Sequence, residues 1–396
     1  MLEPESEIEL KPVKWVQNGY VLARTEEGFP IFVRGALPGE TVLTRIIKVR
    51  SVHAFGMARS IREASLERTP SDCPVFPECG GCSLRHISYE TEQELKRSLL
   101  AEFPNLPGRV SGFVWEEYFS SPQGYRTQVQ IQRDESGAAG FFMEHGNRVI
   151  PLPDEGCRHL PVAMNEALRA ALDGMPPPRK REKISFRWTG ESLLGPGDLT
   201  PDSWTVRRIG ESGEFSWGFS GDGFIQGNSF LLAPWLNYIR GLVPEGRPRT
   251  VELFAGSGLI GGFCRDLLGE YSGFESQAGA VRAARRNFKE KGWTGDFTQS
   301  DLYRQAPALK GVELALVNPP RAGLKEKLCR ALAEVPRVIY SSCNPATLNR
   351  DLGLLNRAGL ETWAGALFDF FPRTPHLELV VSLRRGSASF REEIQR

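Results

Sequence analysis

The N-terminal part of the chain alternates apolar and polar residues in short runs. Residues 8–62 contain the runs VLAR, PIFVR and TVLTRIIKV, with turn dipeptides such as Asn18-Gly19 and Pro38-Gly39 between them. Short alternating runs between tight turns are typical of a small β-barrel. Barrels of this kind often bind oligonucleotides, although a barrel that serves only for packing would show the same pattern.

The middle of the chain mixes strand-like and helix-like patterns. Between about 110 and 220, strand-like runs such as TQVQIQR, ISFRWT and SWTVRRI surround a stretch at 161–173 that is expected to be helical. Another helix is expected at 91–101 (TEQELKRSLLA). This mixture predicts a central α+β region that is mostly antiparallel.

From about residue 221 onward, apolar strands alternate with helical stretches. The strand-like runs are TVELFAG, YSGFES, VELALVN, RVIYSSC and ELVVSL, and helices are expected at 229–241, 258–268, 276–291, 325–334 and 345–358. Such alternation predicts an α/β fold with a doubly wound parallel sheet. We therefore expect three domains: a barrel at 1–65, a central α+β domain at 66–220 and an α/β domain at 221–396.

Composition narrows the class of protein only in part. The chain has 396 residues, of which 40% are apolar, and it has 49 basic against 48 acidic residues. A net charge of +1 neither requires nor excludes nucleic acid, because a local basic face can still bind phosphates. No apolar run approaches the roughly 18–20 residues that span a bilayer, and the acidic start MLEPESEIEL is not a secretory signal. We therefore expect a cytoplasmic protein without a membrane partner.

A single thiol in the run VIYSSCNPATLNR is the first candidate for chemistry. The strand-forming residues of this run end at Cys343, and Asn344-Pro345 then breaks the strand. Open α/β folds place their active sites at the carboxyl edge of the sheet, so Cys343 is a candidate nucleophile. An inert buried thiol is the alternative.

A glycine-rich turn after the strand VELF is the second candidate. Gly256, Gly258 and Gly261 form G-x-G-x-x-G, which lets the backbone approach a ligand closely at the start of a helix. Glu275 ends the next strand and is suited to accept hydrogen bonds from ribose hydroxyls. Asp301 in QSDLY is a further candidate at a strand end.

The cofactor that these positions hold is not fixed by the glycine motif, because nicotinamide cofactors use the same logic. The segment Asn318-Pro319-Pro320-Arg321 follows another strand. It offers a flat polar slot for a planar base or amide, which favours S-adenosylmethionine over NAD. A bare Pro-Pro turn is the alternative for this segment.

Four of the seven cysteines form a separate group. Cys73, Cys79 and Cys82 stand as C-x5-C-G-G-C, and Cys157 follows in DEGCRH. Thiolates in this arrangement suit either an iron–sulfur cluster or zinc. Zinc sites more often show two paired C-x-x-C knuckles, whereas the spacing here is asymmetric. An odd number of cysteines argues against a disulfide framework.

These motifs resemble the uracil-C5 RNA methyltransferases that use S-adenosylmethionine, typified by the enzymes that make 5-methyluridine in bacterial 23S rRNA and tRNA. The resemblance covers nearly the whole chain and rests on motifs that follow in family order: FIQGN at 224–228, ELFAGSG, GFES, NPPRAG, SSCNPATLNRDL and FPRTPHLELVVSL. The barrel, with Ala36-Leu37-Pro38-Gly39-Glu40, looks like the TRAM domain of this family.

The resemblance implies roles for single residues. It implies that Cys343 is the nucleophile and Glu378 the base that removes the C5 proton. It implies that S-adenosylmethionine binds at the positions Gln226, Phe254, Gly256, Gly258, Glu275, Asp301 and Asn318. The cysteine group is similar to that of the ribosomal-RNA branch, which implies a [4Fe–4S] cluster on Cys73, Cys79, Cys82 and Cys157, with zinc as the alternative.

The expected partner is RNA, with rRNA favoured over tRNA because the cysteine group is present. The target base is expected in a single-stranded loop or flipped out of its stack, since it must be reachable. Arg321 is expected to contact phosphate or the base, and a structural ion pair is equally compatible with its position. We expect a monomer.

Asn318 departs from the pattern, because the family usually has aspartate there. An aspartate would accept a hydrogen bond from uracil N3–H, whereas an asparagine both donates and accepts. Uridine is the expected target, and cytidine stays open. Two other classes compete with this hypothesis: an RNA-binding protein that kept the fold without catalysis, and a redox or radical enzyme. The C-x3-C-x2-C spacing common in radical enzymes is absent.

Overall fold

A computed structural model describes residues 2–107, 113–210 and 213–386. Two compact units divide the chain. One comprises the chain up to Leu99 together with Ser121–Gly195 and Phe371–His376, and the other comprises the remaining described residues. The predicted division at residues 65 and 220 into three domains stays a prediction.

The strands and helices are numbered along the chain. The strands are β1 Glu7–Leu10, β2 Lys14–Val16, β3 Tyr20–Arg24, β4 Pro30–Arg34, β5 Thr41–Val49, β6 Ala54–Glu63, β7 Glu116–Tyr118, β8 Gln128–Arg133, β9 Ala139–Phe142, β10 Val149–Pro151, β11 Glu182–Trp188, β12 Leu193–Leu194, β13 Trp204–Ile209, β14 Phe215–Ser220, β15 Thr250–Leu253, β16 Tyr271–Glu275, β17 Asp296–Gln299, β18 Leu314–Val317, β19 Arg337–Ser342, β20 Leu360–Phe368 and β21 Glu378–Arg385. The helices are α1 Tyr89–Leu100, α2 Val162–Asp173, α3 Leu232–Gly241, α4 Leu259–Phe263, α5 Ala278–Glu290, α6 Lys325–Leu332 and α7 Pro345–Arg357. Short 3-10 turns lie at Gln17–Gly19 and Arg265–Leu267.

The first unit begins with the predicted barrel. Six strands pair in the order β1-β5-β6-β4-β3-β2. Alternate residues face inward, so that Val21, Ile31, Val33 and Ile46 are fully buried in one apolar cluster. The alternation of apolar and polar residues in β3 and β4 therefore reflects a closed inner face, as the barrel prediction required.

A five-stranded sheet makes up the rest of the first unit, with the order β10-β9-β8-β11-β12 and antiparallel pairing throughout. Helix α2 packs its buried Met164 and Leu168 into the same cluster as Ile131 and Phe186 of this sheet. The predicted antiparallel α+β pattern of this region is thus present in the structure.

The second unit is built on an eight-stranded sheet with the order β17-β16-β15-β18-β19-β21-β20-β7. The strands β15 to β19 are parallel, as predicted. The sheet is nevertheless mixed, because β21 is antiparallel to β19 and to β20, while β7 is parallel to β20. The purely parallel sheet of the prediction is therefore corrected at its C-terminal side, where β20 and β21 form a hairpin.

Helix α4 is much shorter than the predicted helix at 258–268. It ends at Phe263, and a 3-10 turn follows. Two glycines explain the interruption, because glycine is a poor helix former and both are needed for close packing. A Cβ atom on Gly261 would lie 2.3 Å from the Tyr271 ring, and one on Gly262 would lie 2.1 Å from the Trp217 ring.

Helix α7 begins where the sequence indicated. The Asn344 side chain accepts a hydrogen bond from the Ala346 backbone N–H at 3.1 Å, and Pro345 occupies the first turn. Asparagine before a helix and proline at its first position both favour initiation. This cap fixes the turn that carries Cys343. Among the described residues, no helix is long and apolar enough to cross a lipid bilayer.

Candidate active site

Five predicted site positions lie at the carboxyl ends of five neighbouring parallel strands. Asp301 follows β17, Glu275 ends β16, Gly256 follows β15, Asn318 follows β18 and Cys343 follows β19. These strands are adjacent in that order. Because neighbouring strands lie about 4.8 Å apart, the row spans about 19 Å along one edge of the sheet. An extended nucleoside ligand fits such a row.

The glycine loop after β15 has an unusual backbone. Phe254, Gly256 and Gly258 adopt positive φ angles of 60°, 55° and 74°. A Cβ on Gly256 would meet nothing within 4 Å, so this position opens onto free space, whereas one on Gly258 would lie 3.1 Å from the Phe297 ring. Positive φ at a residue such as Phe254 is uncommon and occurs often at ligand sites. The loop thus presents backbone to an open space, as a cofactor site requires.

Glu275 holds this loop in place. One oxygen of its carboxylate accepts a hydrogen bond from the Gly256 N–H at 3.0 Å. The other accepts from the N–H groups of Ser276 at 2.7 Å and Gln277 at 2.9 Å. The carboxylate is therefore oriented by backbone donors from two strand ends. The Ser276 hydroxyl also donates to this second oxygen, at 3.0 Å. The oxygen that Gly256 contacts accepts one such hydrogen bond, which leaves one of its two acceptor positions for a ribose hydroxyl.

The remaining cofactor candidates make fewer hydrogen bonds to the glycine loop than Glu275 does. Asp301 accepts a hydrogen bond from the Tyr303 N–H at 3.0 Å and pairs with the exposed Arg304 at 3.2 Å. The Asn318 N–H donates to the Leu253 carbonyl at 3.4 Å, which joins the turns after β18 and β15. Gln226 is buried between β14 and α3, and its backbone carbonyl accepts from Arg207 at 2.9 Å. Their roles toward a cofactor stay predictions.

Cys343 is partly buried at the end of β19. Burial raises the pKa of its thiol, and the negative charge of Glu378 raises it further, while Arg321 lowers it. The Arg321 backbone is fastened beside the thiol, because its carbonyl accepts hydrogen bonds from Asn344 Nδ2 at 3.1 Å and from Thr347 Oγ1 at 3.2 Å. The structure therefore brings the predicted nucleophile, base and arginine into one electrostatic neighbourhood.

Glu378 is the first residue of β21 and is almost fully buried. The antiparallel register pairs Ser341 with Val380 and Ser342 with Leu379. Continued by one residue, this register places Cys343 opposite Glu378, and directly opposed residues have Cβ atoms about 4.5–5.5 Å apart. Burial raises the pKa of the Glu378 carboxyl to about 7, against an opposing hydrogen bond from Ser341.

Sequence analysis missed a second buried acid near the glycine loop. Glu252 lies in β15 and accepts hydrogen bonds from the Gly261 N–H at 2.8 Å and from the Tyr271 hydroxyl at 2.6 Å. Burial raises its pKa to about 7. The signal that could have found it is a charged residue inside an otherwise apolar strand, which needs partners when it is buried. Its hydrogen bond with the Gly261 N–H therefore helps to hold the glycine loop in place.

Asp351 was missed as well, although it lies in the quoted motif SSCNPATLNRDL. Its fully buried carboxylate accepts hydrogen bonds from the Leu324 N–H at 2.7 Å and the Tyr340 hydroxyl at 2.8 Å. A Cβ on Gly323 would lie 2.4 Å from this carboxylate. Asp351 therefore anchors the end of the segment that carries Asn318 and Arg321.

The four predicted metal-binding cysteines line one cavity of about 30 Å³ in the first unit, together with Arg85, Arg126 and His159. Arg85 Nε donates a hydrogen bond to the Cys82 sulfur at 3.1 Å. Burial, together with the charges of the three other cysteines, raises the pKa of the Cys79 thiol to about 12. A bound cation would relieve this mutual repulsion, so the donor set fits a metal group.

The two candidate metal groups differ in the spacing that they require of the thiolates. Within the part of the chain that the structure describes, no three His, Cys, Asp or Glu side chains converge on a position for one ion. Four thiolates on one zinc lie about 3.8 Å apart, as tetrahedral 2.3 Å bonds require. Each thiolate on a [4Fe–4S] cluster binds a different iron and stands farther from the others. The four cysteines line one shared cavity, and the choice between a cluster and a zinc ion stays a prediction.

Arg34 connects the barrel to this cysteine loop. It is buried at the end of β4, pairs with Glu144 at 2.5 Å and donates a hydrogen bond to the Cys79 carbonyl at 2.9 Å. It also donates to the Cys82 carbonyl. The loop that carries the thiols is thus held by a barrel residue.

The outer face of the barrel carries a row of aromatic and basic side chains. The registers place Phe32 beside Phe55 and Phe55 beside Lys48 across three adjacent strands. His53 packs against both phenylalanine rings, at 5.5 Å from Phe32 and 5.1 Å from Phe55 between centroids. His145 covers Phe55 at 4.3 Å. These aromatic side chains remain partly exposed, which suits base stacking.

A parallel sheet with a glycine loop, an acid at the end of the next strand and a thiol on the same edge defines an α/β enzyme that acts with a nucleoside cofactor. Comparison with known proteins specifies the family. The sequence profile described as tRNA (Uracil-5-)-methyltransferase matches residues 308–386, and that of the TRAM domain matches residues 6–58.

Relatives match over almost the whole chain. An RNA methyltransferase of Leptospira interrogans is 35% identical over 96% of this chain and 95% of its own length. The 23S rRNA (uracil(1939)-C(5))-methyltransferase of Halomonas elongata is 28% identical over 95% of this chain and 89% of its own length. The chain therefore belongs to the S-adenosylmethionine-dependent uracil-C5 RNA methyltransferase family, and the predicted resemblance is confirmed.

A solved structure confirms the fold. The Pyrococcus abyssi tRNA (uracil-54, C5)-methyltransferase, in complex with S-adenosyl-L-homocysteine, is 20% identical and superimposes with a TM-score of 0.72. The superposition covers 94% of this chain and 99% of that structure. The predicted α/β methyltransferase fold with an N-terminal TRAM barrel is thus confirmed.

Proposed function

We propose that this enzyme methylates C5 of a uridine in RNA through a covalent bond between Cys343 and C6 of the base. The observation that carries the proposal is the register of β19 and β21, which sets Cys343 opposite the buried Glu378. Alkylation of a pyrimidine at C5 requires a nucleophile that adds to C6 and a base that removes the C5 proton. Cys343 and Glu378, whose pKa is near 7, are suited to these two roles.

The chemistry begins at Cys343. The thiolate adds to C6, and the electron pair of the C5–C6 double bond moves toward the O4 carbonyl, which makes C5 nucleophilic. Arg321 favours the thiolate, because its positive charge lowers the pKa of Cys343. S-adenosylmethionine, when bound, would supply an electrophilic methyl group to C5, with the electron pair of the broken sulfur–methyl bond staying on the departing S-adenosylhomocysteine.

Glu378 completes the reaction after C5 has been alkylated. C5 then still carries its proton, and the ionised carboxylate of Glu378 removes it. The double bond reforms, and the Cys343 sulfur leaves as thiolate, so that the electron count is restored. Residues Gln226, Phe254, Gly256, Gly258, Glu275, Asp301 and Asn318 are proposed to hold the cofactor along the sheet edge.

We propose 23S rRNA as the substrate in preference to tRNA. The relative from Halomonas elongata acts on 23S rRNA by name and matches 95% of this chain, and the cysteine group of the ribosomal-RNA branch is present. The TRAM barrel offers stacking positions at Phe32 and Phe55 beside Lys48. We propose that the target base is unpaired or flipped when it reaches Cys343.

We propose further that Cys73, Cys79, Cys82 and Cys157 hold a [4Fe–4S] cluster. When bound, the cluster would link the loop at 73–82 to Cys157 and neutralise repulsion between thiolates. Anaerobic purification followed by assays of iron, acid-labile sulfide and zinc tests this assignment. Zinc without sulfide would refute the cluster, and a Cys73→Ser, Cys79→Ser double variant should lose the bound metal.

Cytidine is a second candidate target, because Asn318 stands where an aspartate is usual in the family. An asparagine side chain can donate to cytosine N3 as well as accept from uracil N3–H. We favour uridine, since the rest of the chain matches uracil-C5 methyltransferases.

One experiment tests the proposed function. Ribosomal RNA from a deletion strain is incubated with the enzyme and S-adenosylmethionine carrying a labelled methyl group, and the labelled nucleoside is identified. We expect 5-methyluridine with wild type and with Cys264→Ala, a control at a buried cysteine of the core. Cys343→Ala should lose activity by on the order of a thousandfold or more. Full activity of Cys343→Ala would refute the covalent mechanism, and 5-methylcytidine alone would refute the uridine assignment.

A further inference from the structure

A buried chain of two hydrogen bonds ends on the Glu378 carboxylate. Trp235 Nε1, on α3, donates to Ser341 Oγ at 3.1 Å. Ser341 Oγ in turn donates to Glu378 Oε1 at 2.5 Å. All three side chains are almost fully buried, at 1% exposure each. Water therefore has no access to this chain, and the direction of each hydrogen bond follows from the indole, which can only donate.

The strand geometry explains why Ser341 can reach Glu378. Cys343 directly follows β19 and stands two residues after Ser341, so the continued strand direction places both side chains on the same face of the sheet. Ser341 pairs with Val380 on β21, which makes Glu378 its diagonal neighbour. One strand thus carries both the nucleophile and the hydroxyl that holds the base.

Holding the carboxylate matters for the last step of the reaction. Glu378 can rotate about its side-chain bonds unless a partner fixes it, and proton transfer needs hydrogen-bond reach to the C5 proton. Ser341 occupies Oε1, which leaves Oε2 for the substrate. Trp235 occupies the oxygen of Ser341, so that the serine hydrogen is available for Glu378.

We propose that Ser341, oriented by Trp235, is a positioning residue for the base Glu378 and keeps its carboxylate both aimed and ionised. This inference rests on the proposed function, because the elimination step belongs to that mechanism. It assigns Ser341 a part in the elimination step and no part in the attack by Cys343.

The surroundings of Glu378 determine what loss of the hydroxyl will do. The titratable neighbour is the Cys343 thiol, with the Arg321 cation beside it. Phe368 lies opposite Glu378 on β20 and carries no charge, and the acid Asp369 follows it and is buried. Burial raises the pKa of Glu378, and the Ser341 hydrogen bond is the opposing influence. Removing the hydroxyl therefore raises this pKa further.

The test follows adduct breakdown in single-turnover reactions at pH 6 to 10. The variants are Ser341→Thr and Ser341→Val, which have nearly the same shape and differ by the hydroxyl. Ser382→Ala, at a buried serine four residues after Glu378 on β21, is the control. In Ser341→Val the pH midpoint of elimination should rise by about one to two units, since a hydrogen bond to a charged group contributes about that much. Its RNA adduct should accumulate at pH 7 and resolve at pH 9.

Ser341→Thr and Ser382→Ala should keep the wild-type midpoint. Trp235→Phe, which lacks the indole donor, should shift the midpoint upward by less than Ser341→Val does. An unchanged pH profile in Ser341→Val would overturn the inference, and so would an equal, pH-independent loss in the valine and threonine variants. If wild type itself formed no adduct through Cys343, the proposed function would fail instead, which separates the two outcomes.

Discussion

Replacing the buried base by a neutral amide should make the protein more stable while it stops turnover. In Glu378→Gln, the amide keeps the shape of the side chain and can still accept a hydrogen bond from Ser341. The wild-type carboxyl has a pKa of about 7 in the folded chain, raised by burial from 4.5. An unfolded chain releases this proton near pH 4.5, whereas the folded chain retains it until about pH 7.

The sign and the magnitude follow from this difference. Between pH 4.5 and about 7, folded Glu378 binds more protons than unfolded Glu378, so the free energy of unfolding falls as the pH rises. Each pKa unit corresponds to about 1.36 kcal/mol. The wild-type protein should therefore lose about 2–3 kcal/mol relative to Glu378→Gln between pH 5 and pH 8, with little further change above pH 8.

Urea unfolding of both proteins at pH 5, 6, 7 and 8 measures this quantity. Other groups contribute equally to both proteins, including Glu252, whose pKa is also raised to about 7. The difference between the two pH profiles thus isolates Glu378. A neutral substitution in the same strand supplies the control: for Ser382→Ala, at a buried serine of β21, the difference from wild type should not change with pH. A difference between wild type and Glu378→Gln that stays constant from pH 5 to pH 8 would refute the buried, protonated state of Glu378.

Three further predictions concern the site and the barrel. Glu378 raises the pKa of the Cys343 thiol and Arg321 lowers it. Glu378→Gln should therefore increase the rate at which iodoacetamide alkylates Cys343 at pH 8, and Arg321→Gln should decrease it. Equal rates in the two variants would contradict this prediction. Gly261→Ala should lower the free energy of unfolding by about 1–3 kcal/mol, since the new Cβ would lie 2.3 Å from Tyr271. It should also weaken the binding of S-adenosylhomocysteine measured by calorimetry. Gly241→Ala should change neither quantity. In filter-binding assays, Phe32→Ala should weaken RNA binding about 5- to 100-fold without changing its salt dependence. Lys48→Gln should reduce the slope of log affinity against log salt concentration by about one. Val52→Ala, at an exposed position, should change neither the affinity nor this slope.

Local signals made much of the fold predictable. Helix α5 was expected at 276–291 and lies at Ala278–Glu290, and α7 was expected at 345–358 and lies at Pro345–Arg357. Both have an apolar face of helical period, and α7 also has a cap that the sequence displays. Such features depend on residues that are near each other in the chain.

Pairing between distant segments was not predictable in this way. Strand β20 was not expected, and its parallel pairing with β7 joins residues near 117 and 367. The antiparallel position of β21 beside β19 likewise depends on which edge of the sheet stays free. No local sequence pattern determines these pairings, because a strand can have the same sequence pattern whether its neighbour is parallel or antiparallel.

The candidate site shows the same limit. Residues at strand ends were predictable, because a glycine turn, a strand-final acid and a cysteine before Asn-Pro can be recognised in the sequence. Residues that act through another side chain were not. Ser341 stands in the quoted run beside Cys343, yet its link to Glu378 requires the register of two strands. Trp235 is more than one hundred residues away from Ser341 in the chain.

Two buried glutamates show that position, more than acidity, separates a structural role from the catalytic role that we propose. Glu252 and Glu378 both have a pKa raised to about 7 by burial. Glu252 accepts from Gly261 and Tyr271 beneath the glycine loop, and both donors bind the same oxygen inside the core. Glu378 accepts from Ser341 on one oxygen and stands opposite the end of β19, where Cys343 is partly exposed. A free oxygen beside an accessible thiol can take a proton from a substrate, whereas an oxygen enclosed under a loop can only hold that loop. The same pKa therefore suits packing of the glycine loop at Glu252 and the proposed role of base at Glu378.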